Sequence, residues 1–236
     1  MTVSAATIRG VSSMAMRRIL ADCAHVYAEA TAQRVDVACV GGVEAAQRVR
    51  RGEPFDFVVL AADAIAELAA ERWVRAETRI DLARSEIAIA VAHGASRPDI
   101  ATGAAVRDAV LHARTIGYST GPSGTHVVRL FEQWGISTTV WPRLVQAPPG
   151  IPVAALIARG DVELGFQQLS ELAHEPGIDV VGLLPANVQS TTTFAAAIGA
   201  SAVHADAVQV FLAWLASAAC DAAKRRHGME PARADR

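Results

Sequence analysis

Gly117-Tyr-Ser-Thr-Gly-Pro-Ser-Gly-Thr-His126 runs directly into Val127-Val-Arg-Leu-Phe-Glu-Gln-Trp134. Ile116 to Tyr118 end a short apolar segment of β character, and Val127, Val128, Leu130, Phe131 and Trp134 recur at helical spacing. The stretch therefore reads as a strand, a turn rich in hydroxyls and glycine, and a helix that opens on that turn. A helix start leaves backbone N–H groups without partners, and the helix dipole adds partial positive charge there. Such a place favours an anion. The hydroxyls of Ser119, Thr120, Ser123 and Thr125 add donors, while Gly121 and Gly124 let the backbone approach closely. The same Ser and Thr residues would also serve as plain helix caps. The segment alone leaves both readings open.

Strand and helix patterns alternate outward from this turn. Upstream, Thr7–Val11 reads as a strand, Ser13–Thr31 as a helix with Met16, Ile19, Leu20, Cys23 and Tyr27 on one face, and Val35–Val40 as a strand. After the Gly41-Gly42 turn come a helix over 43–51, a buried strand at Phe57–Leu60, a helix over 64–71, a strand at Glu86–Val91 and a helix over 104–113. Downstream, a helix over 153–159, strands at 163–166 and 180–183, an extended run over 191–197 and one long helix over 204–224 are expected. Residues from His227 on are polar and expected to fray. This order predicts an α/β fold with mainly parallel sheets covered by helices on both faces.

Composition excludes several classes. A chain of 236 residues can bury one large core or two modest ones. A net charge of −2 gives no support for binding nucleic acid. The three cysteines, Cys23, Cys39 and Cys220, are far apart and odd in number, and each sits in an apolar pattern. They read as buried structural thiols rather than a disulfide framework or a zinc cluster. The seven histidines lack metal-ligand spacing, so no metal and no cofactor is expected. Gly-x-Gly-x-x-Gly and Walker-type motifs are absent, and no acid–His order follows the turn's serines to make a nucleophile elbow. No basic and apolar leader precedes the first strand, and no stretch has the length of a transmembrane helix. The sequence as written predicts a cytoplasmic monomer without membrane insertion, or a periplasmic one if the N-terminus is processed.

The landmarks together have a recognisable order. They are Ser12-Ser13 after the early strand, Arg51-Gly-Glu-Pro-Phe-Asp-Phe-Val-Val-Leu-Ala-Ala-Asp63, Gly117-Tyr-Ser-Thr-Gly-Pro-Ser-Gly124, Ile157-Ala-Arg-Gly-Asp-Val-Glu-Leu-Gly-Phe166, and the closing helix. From Thr7 to about Ala223 the chain resembles the type II periplasmic-binding-protein fold, specifically the molybdate-binding solute-receptor family. That resemblance implies two α/β lobes with a ligand cleft between them. Residues 1–83 plus 193–236 would form lobe I and 84–192 lobe II, with hinge crossings near 85–89 and 191–194. Ser12 and Ser13 would face the Ser119–Thr125 turn across the cleft. The partners implied are a small anionic ligand and, for an exported protein, an ABC permease. A plain N-cap role for Ser12-Ser13 remains the alternative.

The sequence departs from that family at its ligand positions. Gly41-Gly42 and Ala61-Ala62 stand where those receptors carry serines, and Gly165-Phe-Gln-Gln-Leu-Ser-Glu171 replaces a tyrosine-bearing loop. A tetrahedral oxyanion offers only acceptors and needs many donors. Fewer hydroxyls together with Gln167 and Gln168 therefore point to an organic carboxylate. The Gly165–Leu172 run and Pro176-Gly-Ile-Asp-Val-Val181 are also similar to the aconitate isomerase branch of the same superfamily. That chemistry needs a base to move a carbon-bound proton and cationic or N–H groups for the carboxylates. His126 is the candidate acid/base, and Arg84 and Arg143 are candidate carboxylate clamps. A surface role is the alternative for all three. Asp63 and Glu171 read as a helix cap and a helix-end charge, with Glu171 next in line as base. Three functions follow: an anion receptor, a carboxylate isomerase in the same cleft, and a cytoplasmic metabolite sensor.

Overall fold

The computed structural model describes residues 7–233. The chain folds as two compact units, one of residues up to 84 together with those from 193 on, the other Ser85–Thr192. The first begins with β1 (Ile8–Ser13), α1 (Arg17–Thr31), β2 (Val35–Val40), α2 (Gly42–Arg50), β3 (Phe57–Ala61) and α3 (Ala62–Ala70). The long strand β4 (Ile80–Ala92) carries the chain into the second unit. There follow α4 (Gly103–His112), β5 (Ile116–Tyr118), α5 (Pro122–Gln133), α6 (Ser137–Val140) and β6 (Leu144–Gln146). Next come α7 (Val153–Ala158), β7 (Leu164–Gln168), α8 (Leu169–Leu172) and β8 (Ile178–Leu183). β9 (Thr191–Ile198) returns to the first unit, which closes with α9 (Ala205–Ala216), α10 (Asp221–Arg226) and the two-residue β10 (Glu230–Pro231).

In the first unit β1 lies between β2 and β3, parallel to both, with Ser13 opposite Val40 and Ser12 opposite Val59. β3 pairs antiparallel with β9, and β10 pairs antiparallel with β4. Side chains alternate between the two faces of a strand, and the cores follow that period. Phe57, Val59, Phe194, Ala196 and Ile198 pack with α1 and α9, while Val58, Leu60, Ala195 and Ala197 pack with α2 and α3. Residue Val11 belongs to the second set and Ile8 to the first. Rings reinforce the first core: Phe211 stands 5.1 Å from Tyr27 and 5.4 Å from Phe57, centroid to centroid. Both spacings lie in the range where tilted aromatic pairs attract.

The second unit repeats the plan. β5 runs parallel to β6 and β7, and β4 pairs antiparallel with β7 and β8. Ile87, Ile89 and Val91 of β4 pack with α4 and α5, whereas Ala88 and Ala90 pack with α7. In the first unit the parallel strands lead at once into helical turns; in the second β7 does so, while loops join β5 to α5 and β6 to α7.

Two expectations are corrected. The helix expected over 204–224 breaks after Ala216, because Ser217 takes an extended backbone (φ −78°, ψ 171°). Its hydroxyl donates to Trp214 O at 2.7 Å and accepts from Ala219 N at 3.3 Å, so one side chain stops α9 and starts the next turn. The two helical pieces meet at 59°, and among the described residues no single helix is long and apolar enough to cross a membrane. The polar tail is also ordered rather than frayed up to Arg233. Met229 is buried, Glu230 and Pro231 pair with Arg84 and Ala83, and Ala232 N donates to Leu82 O.

Candidate anion-binding sites

In the first unit, three neighbouring parallel strands deliver three helical starts at one edge. The Met14–Met16 3₁₀ turn, α2 and α3 begin directly after Ser13, Gly41 and Ala61, and none of these N-caps has a side-chain capping bond. Their first N–H groups are open to an incoming acceptor. Ser12 Oγ donates to Ser13 O at 3.2 Å, while Ser13 Oγ is buried and unpartnered. A Cβ at Gly42 would stand 3.7 Å from Ser13 Cβ, so any side chain at 42 would lie over that serine. The glycines keep the edge open and supply backbone donors in place of hydroxyls.

The equivalent edge of the second unit is the Ser119–Thr125 turn. α5 starts at Pro122 with Gly121 uncapped by any side chain, and proline at that first position costs no hydrogen bond. Ser119 Oγ and the buried Ser123 Oγ lie 3.0 Å apart, and Gly121 N donates to Ser119 Oγ at 3.3 Å. Thr125 Oγ1 folds back onto Gly121 O at 3.4 Å. Gly124 has the sharper requirement: a Cβ there would fall 1.7 Å from Ser119 O. The helix start is thus pressed against the turn's own backbone, which fixes the donors in place. Thr120 is half-buried in the same turn.

Gln167 and Gln168 end β7, the neighbour of β5 in register Tyr118↔Phe166, so they sit beside this turn. Gln167 Oε1 accepts from Val153 N at 2.9 Å, capping α7, and its Nε2 donates to Glu171 Oε1 at 2.8 Å. Gln168 Nε2 donates to Thr192 Oγ1 at 2.8 Å, leaving its Oε1 buried without a partner. Ser170 Oγ and Ser85 Oγ are likewise buried and unpartnered. A buried polar atom left unpaired costs about 1–3 kcal/mol, and orphans concentrated at one strand end are what a polar ligand would satisfy. Sequence reading passed over Ser170, although its place next to a buried Gln-Gln pair was the available signal.

The remaining candidates have other partners or, like Asp63, no capping bond. Arg84 Nη2 reaches Pro231 O at 3.4 Å, tying β4 to β10. Arg143 Nη1 donates to Leu111 O at 2.9 Å and Ala113 O at 2.5 Å, closing the C-terminal end of α4. Both guanidiniums are engaged with backbone carbonyls. His126, half-buried in the second turn of α5, has Nε2 2.9 Å from Val188 O. A carbonyl only accepts, so Nε2 carries the proton and Nδ1 is the basic nitrogen. Asp63 lies in the first turn of α3 and makes no capping bond. Among the described residues no cluster of His, Cys, Asp and Glu could hold a metal ion.

Two α/β units whose parallel strands end at uncapped helix starts have the architecture of a solute-binding protein. The chain belongs to the bacterial extracellular solute-binding protein family, whose model matches residues 8–230. It is 34% identical over 231 residues to an aconitate isomerase of Pseudomonas sp., covering 95% of this chain and 88% of that protein. The periplasmic molybdate-binding protein of Azotobacter vinelandii superposes with a TM-score of 0.78 at 18% identity, covering 94% of this chain and 98% of that one. The sulfate-binding protein of Mycobacterium tuberculosis does so at 0.76 and 14% identity, covering 96% and 87%. These two likenesses establish the periplasmic-binding-protein fold that the sequence landmarks imply.

Proposed function

We propose that the protein binds a small unsaturated polycarboxylate of the aconitate kind. The observation that carries this reading is the full-length similarity to an aconitate isomerase, set beside the donor-poor edge at Gly41-Gly42 and Ala61-Ala62. Backbone N–H groups at the three helical starts of the first unit suit carboxylate oxygens, and the second unit has its own donors in the hydroxyls of the Ser119–Thr125 turn. The test is calorimetry with cis-aconitate, trans-aconitate, citrate, molybdate and sulfate. Binding of the tricarboxylates at least tenfold tighter than the inorganic oxyanions is expected. Tight molybdate binding that no carboxylate displaces overturns the reading.

A second reading, catalysis, is favoured by the position of Glu171. It is half-buried in the first turn of α8, held by Gln167 Nε2, and it follows the strand end where the orphaned polar atoms gather. An allylic shift needs one base that takes a proton from the ligand methylene and returns it to the far end of the allylic anion, moving the double bond. Glu171 can perform both transfers, and backbone N–H groups would hold the carboxylate over which the negative charge spreads.

A further inference from the structure

We propose that Cys23 and Cys220 are an oxidisable pair, which a small disulfide converts into a cross-link between α1 and the C-terminal segment. The pair lies in the core of the first unit and stands independently of the ligand reading. Cys23 is on the buried face of α1, and Cys220 ends the 3₁₀ turn Ala218–Cys220 that joins α9 to α10. The two side chains are neighbours in the same packed cluster, with Cys23 3% and Cys220 1% exposed. Flanking contacts fix this juxtaposition. Asp22, next to Cys23, accepts from Arg226 Nη2 at 2.5 Å and from His227 Nε2 at 2.7 Å, both a few residues beyond Cys220.

The surroundings separate the two thiols chemically. The neighbouring Cys23 thiol and the charge of Lys224 favour the Cys220 thiolate against its burial, while the neighbouring Cys220 and burial push the Cys23 thiol up. Lys224 is itself buried, its Nζ only 3.7 Å from Asp221 Oδ1 and without a hydrogen bond. With two thiols side by side, exchange proceeds in two steps. Cys220 thiolate attacks one sulfur of oxidised glutathione and expels glutathione thiolate, giving a mixed disulfide. Cys23, deprotonated in turn, attacks Cys220 Sγ and expels the second glutathione. Both thiol protons pass to the two leaving thiolates, and the oxidised glutathione is reduced as the protein disulfide forms. Access to these buried sulfurs requires local opening of the C-terminal segment, the kind of sub-global motion native proteins undergo. Closing the bridge pins α10 and β10, which pairs with Ala83 and Arg84 of β4.

The test is incubation of the full chain, reduced and then exposed to oxidised glutathione, followed by alkylation and peptide mass mapping without reductant. Loss of two hydrogens from the intact mass is expected, with a peptide linking Cys23 to Cys220, Cys39 still alkylated, and slower hydrogen exchange over residues 217–232. Cys39→Ser should form the same link, whereas Cys23→Ser should retain a glutathione adduct on Cys220. All three thiols remaining alkylatable overturns the proposal, as does a disulfide that includes Cys39 or a Cys220 adduct that wild-type protein never resolves.

Discussion

Gly124 shows how a single residue sets the site. The absent Cβ is what allows α5 to press on Ser119, so Gly124→Ala must push a backbone carbonyl aside. Overpacking of this kind costs about 1–3 kcal/mol, and a lower urea midpoint with unchanged slope should report it. At Ser123, buried at the same helix start, an aspartate would put a fixed negative charge where the anion is proposed to bind. Ser123→Asp should abolish carboxylate binding, and unaltered affinity in calorimetry would remove this turn from the site. The strand, turn and helix of this stretch were legible because the apolar period changes across a run of hydroxyls and glycines. Arg84 and Arg143 were not: in an arginine-rich chain the residue type says nothing about which carbonyls it meets. The orphaned Ser85, Gln168 and Ser170 atoms were also invisible, since partnership depends on chain segments distant in sequence.

Among the elements, the alternation of apolar periods made the strand-helix order readable, and the period-2 split of β3 and β9 between two cores explains why. The break at Ser217 was hidden, because a serine in a helix and a serine that caps two turns look alike until its partners are known. β10 was hidden for a related reason: two residues owe their strand to Ala83 and Arg84, far away in the chain. Packing gives this level its own predictions. Phe211 is wholly buried between Tyr27 and Phe57, so Phe211→Ala should cost about 3–5 kcal/mol in unfolding experiments. The clamp between α1 and α10 should respond to acid. Partial burial opposes ionisation of Asp22, but hydrogen bonds from His227 and Arg226 outweigh it and hold the carboxyl below its ordinary range. A depressed acid stabilises the fold above its unfolded value, near pH 4, and that contribution disappears as pH falls through the folded value. Asp22→Asn should therefore lower the melting temperature at pH 6 to 8, with the difference from wild type shrinking below about pH 4.

For the whole molecule, both units place open helix starts at parallel strand ends, and each has cores of its own. A ligand held by the native fold alone stabilises it by about 2.7 kcal/mol at a hundred times its Kd. For a chain of this length that is a rise in melting temperature of roughly 5–10 °C, expected with cis- or trans-aconitate and absent with molybdate at equal concentration. Whether binding leads to chemistry is then read in D₂O. A base that removes and returns a ligand proton exchanges it with solvent, so NMR should show interconversion of the aconitate isomers together with deuterium entering the allylic positions. General acid–base groups contribute about 10²–10⁴-fold. Glu171→Gln should slow both processes by that order while keeping the thermal shift, because Gln167 can still hold a neutral amide at that position. His126, whose Nε2 is bound to Val188 O, has a free nitrogen to act as base but less freedom to shuttle; His126→Ala should change the rate far less. A large loss in His126→Ala with full activity in Glu171→Gln would exchange their roles. Stabilisation without conversion or deuterium uptake in the wild-type protein would leave a binding protein and no isomerase.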